Sequence, residues 1–389
     1  MHVRTLLETT PVRDVLRYLV DELKIHVVED ESLGLVSLKY NQIESPMDNP
    51  IVAECRGMVV DVSQRFGRVL AHPYNKFWNH GEKLAAPIDW STARVQDKLD
   101  GSLMILYFHH GRDEWMVASS GHPTAGGSFG AAEKKFRDAF WDLFAALEMR
   151  LPPRDYMRLG KPGYNHLDMR LVTFMFELCD APNRVVVLHE KPRLVLHGMR
   201  DLITLAEVPP LDAAYLAGFF GWEYVQHYGI GSIDACLAAA EALNPIANEG
   251  FVVVDADWNR VKIKSPRYVI LHHMKGEATP RRAIELWQTG ETSELLSHFP
   301  EMAPAITPMQ THLDLLAEHA HLAWAMHSEL EVQKDFAMAV KHQPWSAVCF
   351  QLRKMAGTPA KALTPFDATT IMRGMSLSAL ERMVEACPP

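Results

Sequence analysis

The chain has no C-x-x-C pair, and its five cysteines (Cys55, Cys179, Cys236, Cys349, Cys387) are scattered and odd in number. That pattern argues against a disulfide framework and a cysteine-ligated zinc site, and predicts reduced, mostly buried thiols. No run of about 18 consecutive apolar residues is present to cross a membrane. The segment Met1 to Leu7 lacks the charged lead, apolar stretch and small-residue cleavage site of an export signal. A soluble, intracellular, cytoplasmic protein without membrane association is therefore expected. Positive charge is also short: 39 Lys+Arg against 48 Asp+Glu give a formal net charge of -9. A globally basic nucleic-acid coat is excluded, while a local positive groove is not.

What is present is a globular composition, 48% hydrophobic and 22% charged, over 389 residues, more than one hydrophobic core usually organises. Up to about residue 275, short β-type runs dominate: 34–40, 56–61, 103–108, 115–119, 171–176, 184–188, 251–255 and 260–264. Apolar residues at spacings of three and four predict helices over 131–147, 211–220 and 233–243. Beyond Lys275 the texture becomes helical. Thr279-Pro280 supplies an N-cap with proline at the first helical position, 311–341 has helical periodicity, and Ser378-Ala-Leu-Glu381 reads as a capping box. Residues 151–164 and 299–308, both rich in proline, are the candidate linkers. A boundary near residue 277 is expected.

Four clusters could carry chemistry. Lys98-Leu-Asp-Gly-Ser102 lies between strand-like runs, which excludes a P-loop. Its lysine becomes a nucleophile only if its pKa falls from about 10.4, through burial or neighbouring cations. On its own the motif reads rather as a solvated lysine before a hairpin, since Asp-Gly-Ser is a common turn. Asn248-Glu-Gly-Phe-Val-Val-Val254 and Arg260-Val-Lys-Ile-Lys264 form an antiparallel hairpin, whose period-two alternation puts Lys262 and Lys264 on one face. The bland alternative is an edge strand protected by lysines. Glu249 joins that face if it pairs with Lys264 and turns away after a one-residue slip. Glu177 ends an apolar aromatic strand, where a carboxylate needs a ribose hydroxyl, a hydrated metal ion or Arg184 as partner. Arg56, Lys76 and Phe77 offer phosphate contacts and a stacking surface.

Taken in order, these clusters resemble the covalent nucleotidyltransferases, the group of polynucleotide ligases and RNA capping enzymes, and most closely the bacteriophage RNA ligase 1 branch. The resemblance runs from about Cys55 to His273. It rests on Arg56-Gly57, Lys76-Phe-Trp-Asn79, Lys98-Leu-Asp-Gly-Ser102, Phe176-Glu177 with Asn183-Arg184, Glu249-Gly250-Phe251-Val252, and Lys262-Ile-Lys-Ser265 with Tyr268. Members of the branch carry a lysine before a glycine on the strand after the nucleophile; here that stretch is Ser119-Ser120-Gly121.

The resemblance implies an α+β fold. A nucleotidyltransferase domain of ATP-grasp-like antiparallel sheets with flanking helices would span 1–277, and an all-α C-terminal domain 278–389. It implies an ATP-dependent RNA ligase acting through a lysyl-AMP on Lys98, with Glu249, Lys262 and Lys264 as further catalytic residues. Arg56, Lys76, Phe77, Asp100, Gly101, Glu177, Gly250, Lys262 and Lys264 would hold the nucleotide. Glu249 and Glu177 would hold Mg²⁺ or Mn²⁺ through water. The partner would be RNA with 5′-phosphate and 3′-hydroxyl ends, tRNA-like RNA being one candidate. A DNA ligase, a GTP-dependent capping enzyme and an RNA-end-binding protein without turnover are the competing readings.

Overall fold

The computed structural model describes residues 2–130, 134–154, 156–157, 167–275, 279–290, 292–357 and 362–387. In chain order the strands are β1 (Ile25–Asp30), β2 (Leu35–Tyr40), β3 (Arg56–Asp61), β4 (Arg68–Ala71), β5 (Trp78–Asn79), β6 (Arg94–Lys98), β7 (Ser102–His109) and β8 (Glu114–Ser119). Then come β9 (Tyr156–Met157), β10 (Leu167–Asp168), β11 (Val172–Cys179), β12 (Arg193–Asp201), β13 (Glu223–Tyr224), β14 (His227–Tyr228), β15 (Gly250–Val254) and β16 (Arg260–Lys264). The helices are α1 (His2–Thr9), α2 (Val12–Asp21), α3 (Pro50–Glu54), α4 (Phe136–Ala146), α5 (Pro210–Phe220), α6 (Ile233–Ala242) and α7 (Pro266–Lys275). They continue with α8 (Pro280–Thr289), α9 (Thr292–His298), α10 (Ala303–His327), α11 (Gln333–Val340), α12 (Ser346–Ala356), α13 (Pro365–Arg373) and α14 (Leu377–Ala386). The expected α+β order is borne out: mostly antiparallel sheets first, then a helical region. Two compact units result, Met1–Ile270 and Leu271–Pro389.

The first unit holds three main sheets, ordered β1-β2-β3-β4, β13-β12-β11-β7-β8 and β14-β6-β15-β16-β5. Side-chain alternation decides what each face does. On β7, Met104, Leu106 and Phe108 join Phe174, Phe176 and Leu178 of β11 in one core covered by α4 and α5. The opposite parity of β7, Ile105 and Tyr107, packs with Leu35 and Val59 of the first sheet. Burial on both faces explains why β7 reads as an unbroken apolar run. Each fully buried aromatic or aliphatic side chain here contributes about 2 kcal/mol. Glu177, between Phe176 and Leu178, is left on the other face.

In the third sheet Val95, Phe251, Val253, Val261 and Ile263 pack against Cys236 and Ala240 of α6. The opposite parity therefore puts Gln96 and Lys98 of β6 on one face with Val252, Lys262 and Lys264.

Several local expectations fail for physical reasons. Residues 184–188 form no strand, because the amides of Val186 and Val187 donate to the Asp100 carboxylate rather than to a ladder. The proline-rich stretch 299–308 is a short 3-10 turn running into α10, with Pro308 inside the helix. The helical periodicity read over 311–341 does hold, falling on two helices, α10 and α11. Ser378 lies inside the first turn of α14 rather than capping it. Residues 131–133 and most of 151–164 fall outside the described residues. Thr279 does cap α8, accepting the Arg282 N–H, with Pro280 at the first turn. Among the described residues no helix is long and apolar enough to cross a membrane, and all five cysteines are free thiols.

Candidate active site

Lys98 is the last residue of β6, and Leu99 to Gly101 carry the chain into β7 of another sheet. The motif therefore bridges two sheets rather than opening a hairpin. Across the third sheet, Gly250 pairs with Lys98 on one side and Lys264 on the other. Its φ is +149°, and a Cβ there would lie 2.2 Å from the Ile263 carbonyl oxygen, so glycine is required. Glu249, just before it, is 3% exposed. Its Oε2 accepts Lys98 Nζ at 2.6 Å and its Oε1 accepts Lys264 Nζ at 2.9 Å. The pairing is offset by one residue from the register expected to favour this, yet the carboxylate reaches both lysines. Glu249 lies outside the ladder, and the Gly250 backbone redirects it.

The lysines face a cavity of about 270 Å³ whose walls include Arg56, Phe77, Lys98, Gly101, Glu177, Lys262 and Lys264. Arg56 Cζ lies 5.3 Å and Lys262 Nζ 5.2 Å from the centre of the Phe77 ring. One nitrogen of Arg56, Nη1, is buried without a hydrogen-bond partner among the described residues. Burial, then Lys76, Lys98, Arg56 and Lys264, push the Lys262 amine down to about 8. Lys76 packs its ammonium over the rings of Tyr40 and Trp78 at 4.7 and 4.6 Å, and is not among the cavity-lining residues. Clustered cations around an aromatic face suit a polyanion attached to a flat ring.

Asp100 stands elsewhere than its expected place on the nucleotide. It is 5% exposed, and is not among the residues lining the cavity. Its Oδ2 accepts the Val186 and Val187 N–H groups at 2.8 and 2.7 Å, and its Oδ1 the Tyr268 hydroxyl at 2.7 Å. These bonds tie the chain just after Lys98 to two distant segments. Gly101 permits the close approach of β11, since a Cβ there would lie 2.4 Å from the Leu178 carbonyl oxygen. Glu177 lies on the cavity wall, with Oε2 3.6 Å from His197 Nε2.

The family model described as RNA ligase matches residues 54–268, more than half of the chain and the whole stretch in which these side chains converge. The chain belongs to the RNA ligase family. It is 26% identical over 368 residues to "Putative bifunctional polynucleotide kinase/RNA ligase" of Autographa californica nuclear polyhedrosis virus, covering 91% of this chain and 50% of that protein. It is 26% identical over 292 residues to the RNA ligase of Rhodothermus phage RM378, covering 60% of this chain and 63% of that protein. The chain thus spans between half and two thirds of the length of the curated relatives it matches. An archaeal ATP-dependent RNA ligase structure aligns at 11% identity over 96% of this chain and 98% of its own, with a TM-score of 0.46.

In this RNA ligase family member, Tyr74, Gln96, His197 and Arg260 also line the cavity, and sequence reasoning missed all four as site residues. A signal existed for Arg260, which shares strand parity with Lys262 and Lys264. Its Cζ lies 4.0 Å over the Tyr74 ring. His197 stacks on Tyr74 with ring centres 5.4 Å apart, a contact between segments more than a hundred residues apart that no local pattern announces. Among the described residues no group of three or more His, Cys, Asp or Glu is placed to hold a metal ion. Both oxygens of Glu249 already meet ammonium groups. Two carboxylates, Glu249 and Glu177, are too few to ligate an ion directly, and the role expected of them is toward a hydrated ion, through its water shell.

Proposed function

We propose that this protein is an ATP-dependent RNA ligase joining an RNA 5′-phosphate to a 3′-hydroxyl. The reading is carried by one observation: Lys98 is held on Glu249 beside Lys264, at the wall of a cavity that also presents Arg56, Lys262 and Phe77. Lys98 Nζ attacks the α-phosphorus of ATP, forming an N–P bond as the P–O bond to pyrophosphate breaks. Glu249 Oε2 is the acceptor within reach of the amine's proton. The adenylyl group then passes to an RNA 5′-phosphate, forming a phosphoanhydride and freeing Lys98. A 3′-hydroxyl attacks the phosphorus of the activated end, expelling AMP and sealing the strand.

Each step is a displacement at a phosphorus flanked by anionic oxygens, so fixed cations supply the stabilisation. Arg56, Lys262 and Lys264 take that role, Phe77 stacks on the base, and Glu177 holds the ribose. Asp100 and Tyr268 position the loop that carries Lys98. Mg²⁺ or Mn²⁺ enters on the triphosphate as part of the substrate. Residues 1–277 carry this chemistry, and the helical residues 278–389 select the RNA, with tRNA-like ends as the candidate substrate. Family membership favours this reading over a DNA ligase or a capping enzyme.

The test is incubation with ATP and Mg²⁺ followed by intact mass measurement. Addition of one AMP, absent from Lys98→Ala and absent with GTP, is the expected result. An unmodified wild-type protein sinks the proposal.

A further inference from the structure

Three basic residues stand in one row across the N-terminal sheet. His26 on β1 pairs with Lys39 on β2, which pairs with Arg56 on β3 next to a register shift at Leu38/Lys39. Like charges directly opposite on neighbouring strands destabilise a sheet unless a counter-charge covers them. A second cavity, of about 800 Å³, lies over this row, and none of the residues lining it is acidic. Its walls include His26, Lys39, Gln42, Arg56, Ser120 and Gly121. The ammonium of the exposed Lys39 makes no hydrogen bond or ion pair with another described residue. Arg56 lines both cavities, so its unpartnered Nη1 belongs to a group shared between them. Glu177, on the wall of the first cavity, attracts Arg56, and no carboxylate lines the second.

We infer that the row His26, Lys39 and Arg56 is a second phosphoryl-binding subsite continuous with the nucleotide cavity, with Lys39 as its principal free cation. Lys39 brings to this cavity, from β2, a positive charge that Ser119-Ser120-Gly121 does not carry. A Cβ on Gly121 would lie 3.9 Å from Lys39 Nζ, so the turn after β8 borders the space that the Lys39 side chain enters from β2. The phosphoryl group is either the pyrophosphate end of ATP or the 5′-phosphate of RNA, a choice that rests on the ligase reading.

The experiment compares wild type, Lys39→Ala and the double variant Lys39→Ala/Ser120→Lys in two ways. The first is the rise in thermal unfolding temperature on adding inorganic pyrophosphate or a short 5′-phosphorylated RNA. This readout needs no turnover, so it decides the subsite even if no AMP adduct forms. The second measures the ATP concentration giving half-maximal AMP labelling, and separately the rate of AMP transfer from preformed enzyme-AMP to 5′-phosphorylated RNA. Lys39→Ala is expected to unfold no earlier than wild type without ligand, since it relieves a like-charge pair, and to lose most of the ligand-induced rise. About a tenfold loss in ATP half-saturation assigns the group to ATP, and the same loss in transfer assigns it to the RNA end. Restoration by Ser120→Lys supports the shared space. A Lys39→Ala protein equal to wild type in both readouts, or a wild type stabilised by neither ligand, overturns the inference.

Discussion

Glu249 holds Lys98 and Lys264 at once, one ammonium on each carboxylate oxygen, at 2.6 and 2.9 Å. Removing that charge leaves two ammonium groups facing each other across Gly250. Glu249→Gln should therefore slow Lys98 adenylation by about 10²- to 10³-fold, the scale for losing one preorganised electrostatic group. The lysine side chains are 19% and 28% exposed, so solvent softens the stability penalty to about 2 kcal/mol rather than the larger figure for a fully buried pair. Single-turnover labelling and urea unfolding check the two halves separately. A variant that labels at the wild-type rate contradicts the role given to Glu249.

Lys262 supplies a pH signature. Burial and four neighbouring cations hold its amine at about 8, below the ordinary 10.5. The folded state thus loses this proton before the unfolded chain does. Below about 8 both states are protonated and the repulsion is fully present; as pH rises from about 8 towards 10.5 that penalty is relieved. Ligand binding runs the opposite way, because only the charged amine attracts phosphate. The ATP concentration for half-maximal labelling should climb as pH passes about 8, and Lys262→Arg should flatten the climb. An identical pH profile in the two proteins removes Lys262 from phosphate binding.

Much of this site was written in local patterns, and the remainder depended on long-range geometry. Alternation in 260–264 put Lys262 and Lys264 on one face and Val261 and Ile263 on the other, as the structure has it. Position relative to a neighbouring strand was not legible: the orientation of Glu249 turns on Gly250 at φ +149°, a backbone state that a register argument does not contain. Residues 184–188 look like a strand because β-branched residues are common to strands and to extended loops. What distinguishes them is Asp100, 86 and 87 residues from the amides it accepts. Lys39 drew no notice because an exposed lysine near a strand end is commonplace. Its meaning comes only from the cross-strand partners His26 and Arg56.

Tyr268 and Asp100 test the idea that the loop after Lys98 must be fastened. The Tyr268 hydroxyl donates to Asp100 at 2.7 Å and the ring is 1% exposed. Burial, Glu249 and Asp100 push its phenol well above the ordinary range, so it remains a donor at any working pH. Tyr268→Phe should lower stability by about 2 kcal/mol, as expected for a hydrogen bond to a charged acceptor. AMP labelling should slow while still reaching completion, because the Asp100 carboxylate loses one of its three hydrogen bonds. Unchanged labelling kinetics alongside lowered stability would confine Tyr268 to a structural part.

Behind the cavity, Glu207 accepts Arg260 Nη2 at 2.7 Å on Oε2 and Arg200 Nη2 at 3.1 Å on Oε1. This buried triad fixes Arg260 over Tyr74, and so shapes the wall on which His197 stacks. Burial pushes the Glu207 carboxyl up, but Arg260 and Arg200 more than reverse it, leaving it below the ordinary 4.5. Its stabilising contribution is fully present above that value and fades as pH falls through the lower folded value. Wild-type stability should therefore drop steeply below pH 4.5. Glu207→Gln, which leaves two guanidinium groups buried without a counter-charge, should lose about 3–5 kcal/mol at neutral pH. It should also show a shallower acid slope, because the titrating group is gone. Denaturant melts of both proteins between neutral and acid pH measure both effects, and parallel acid slopes would show that the triad does not govern stability there.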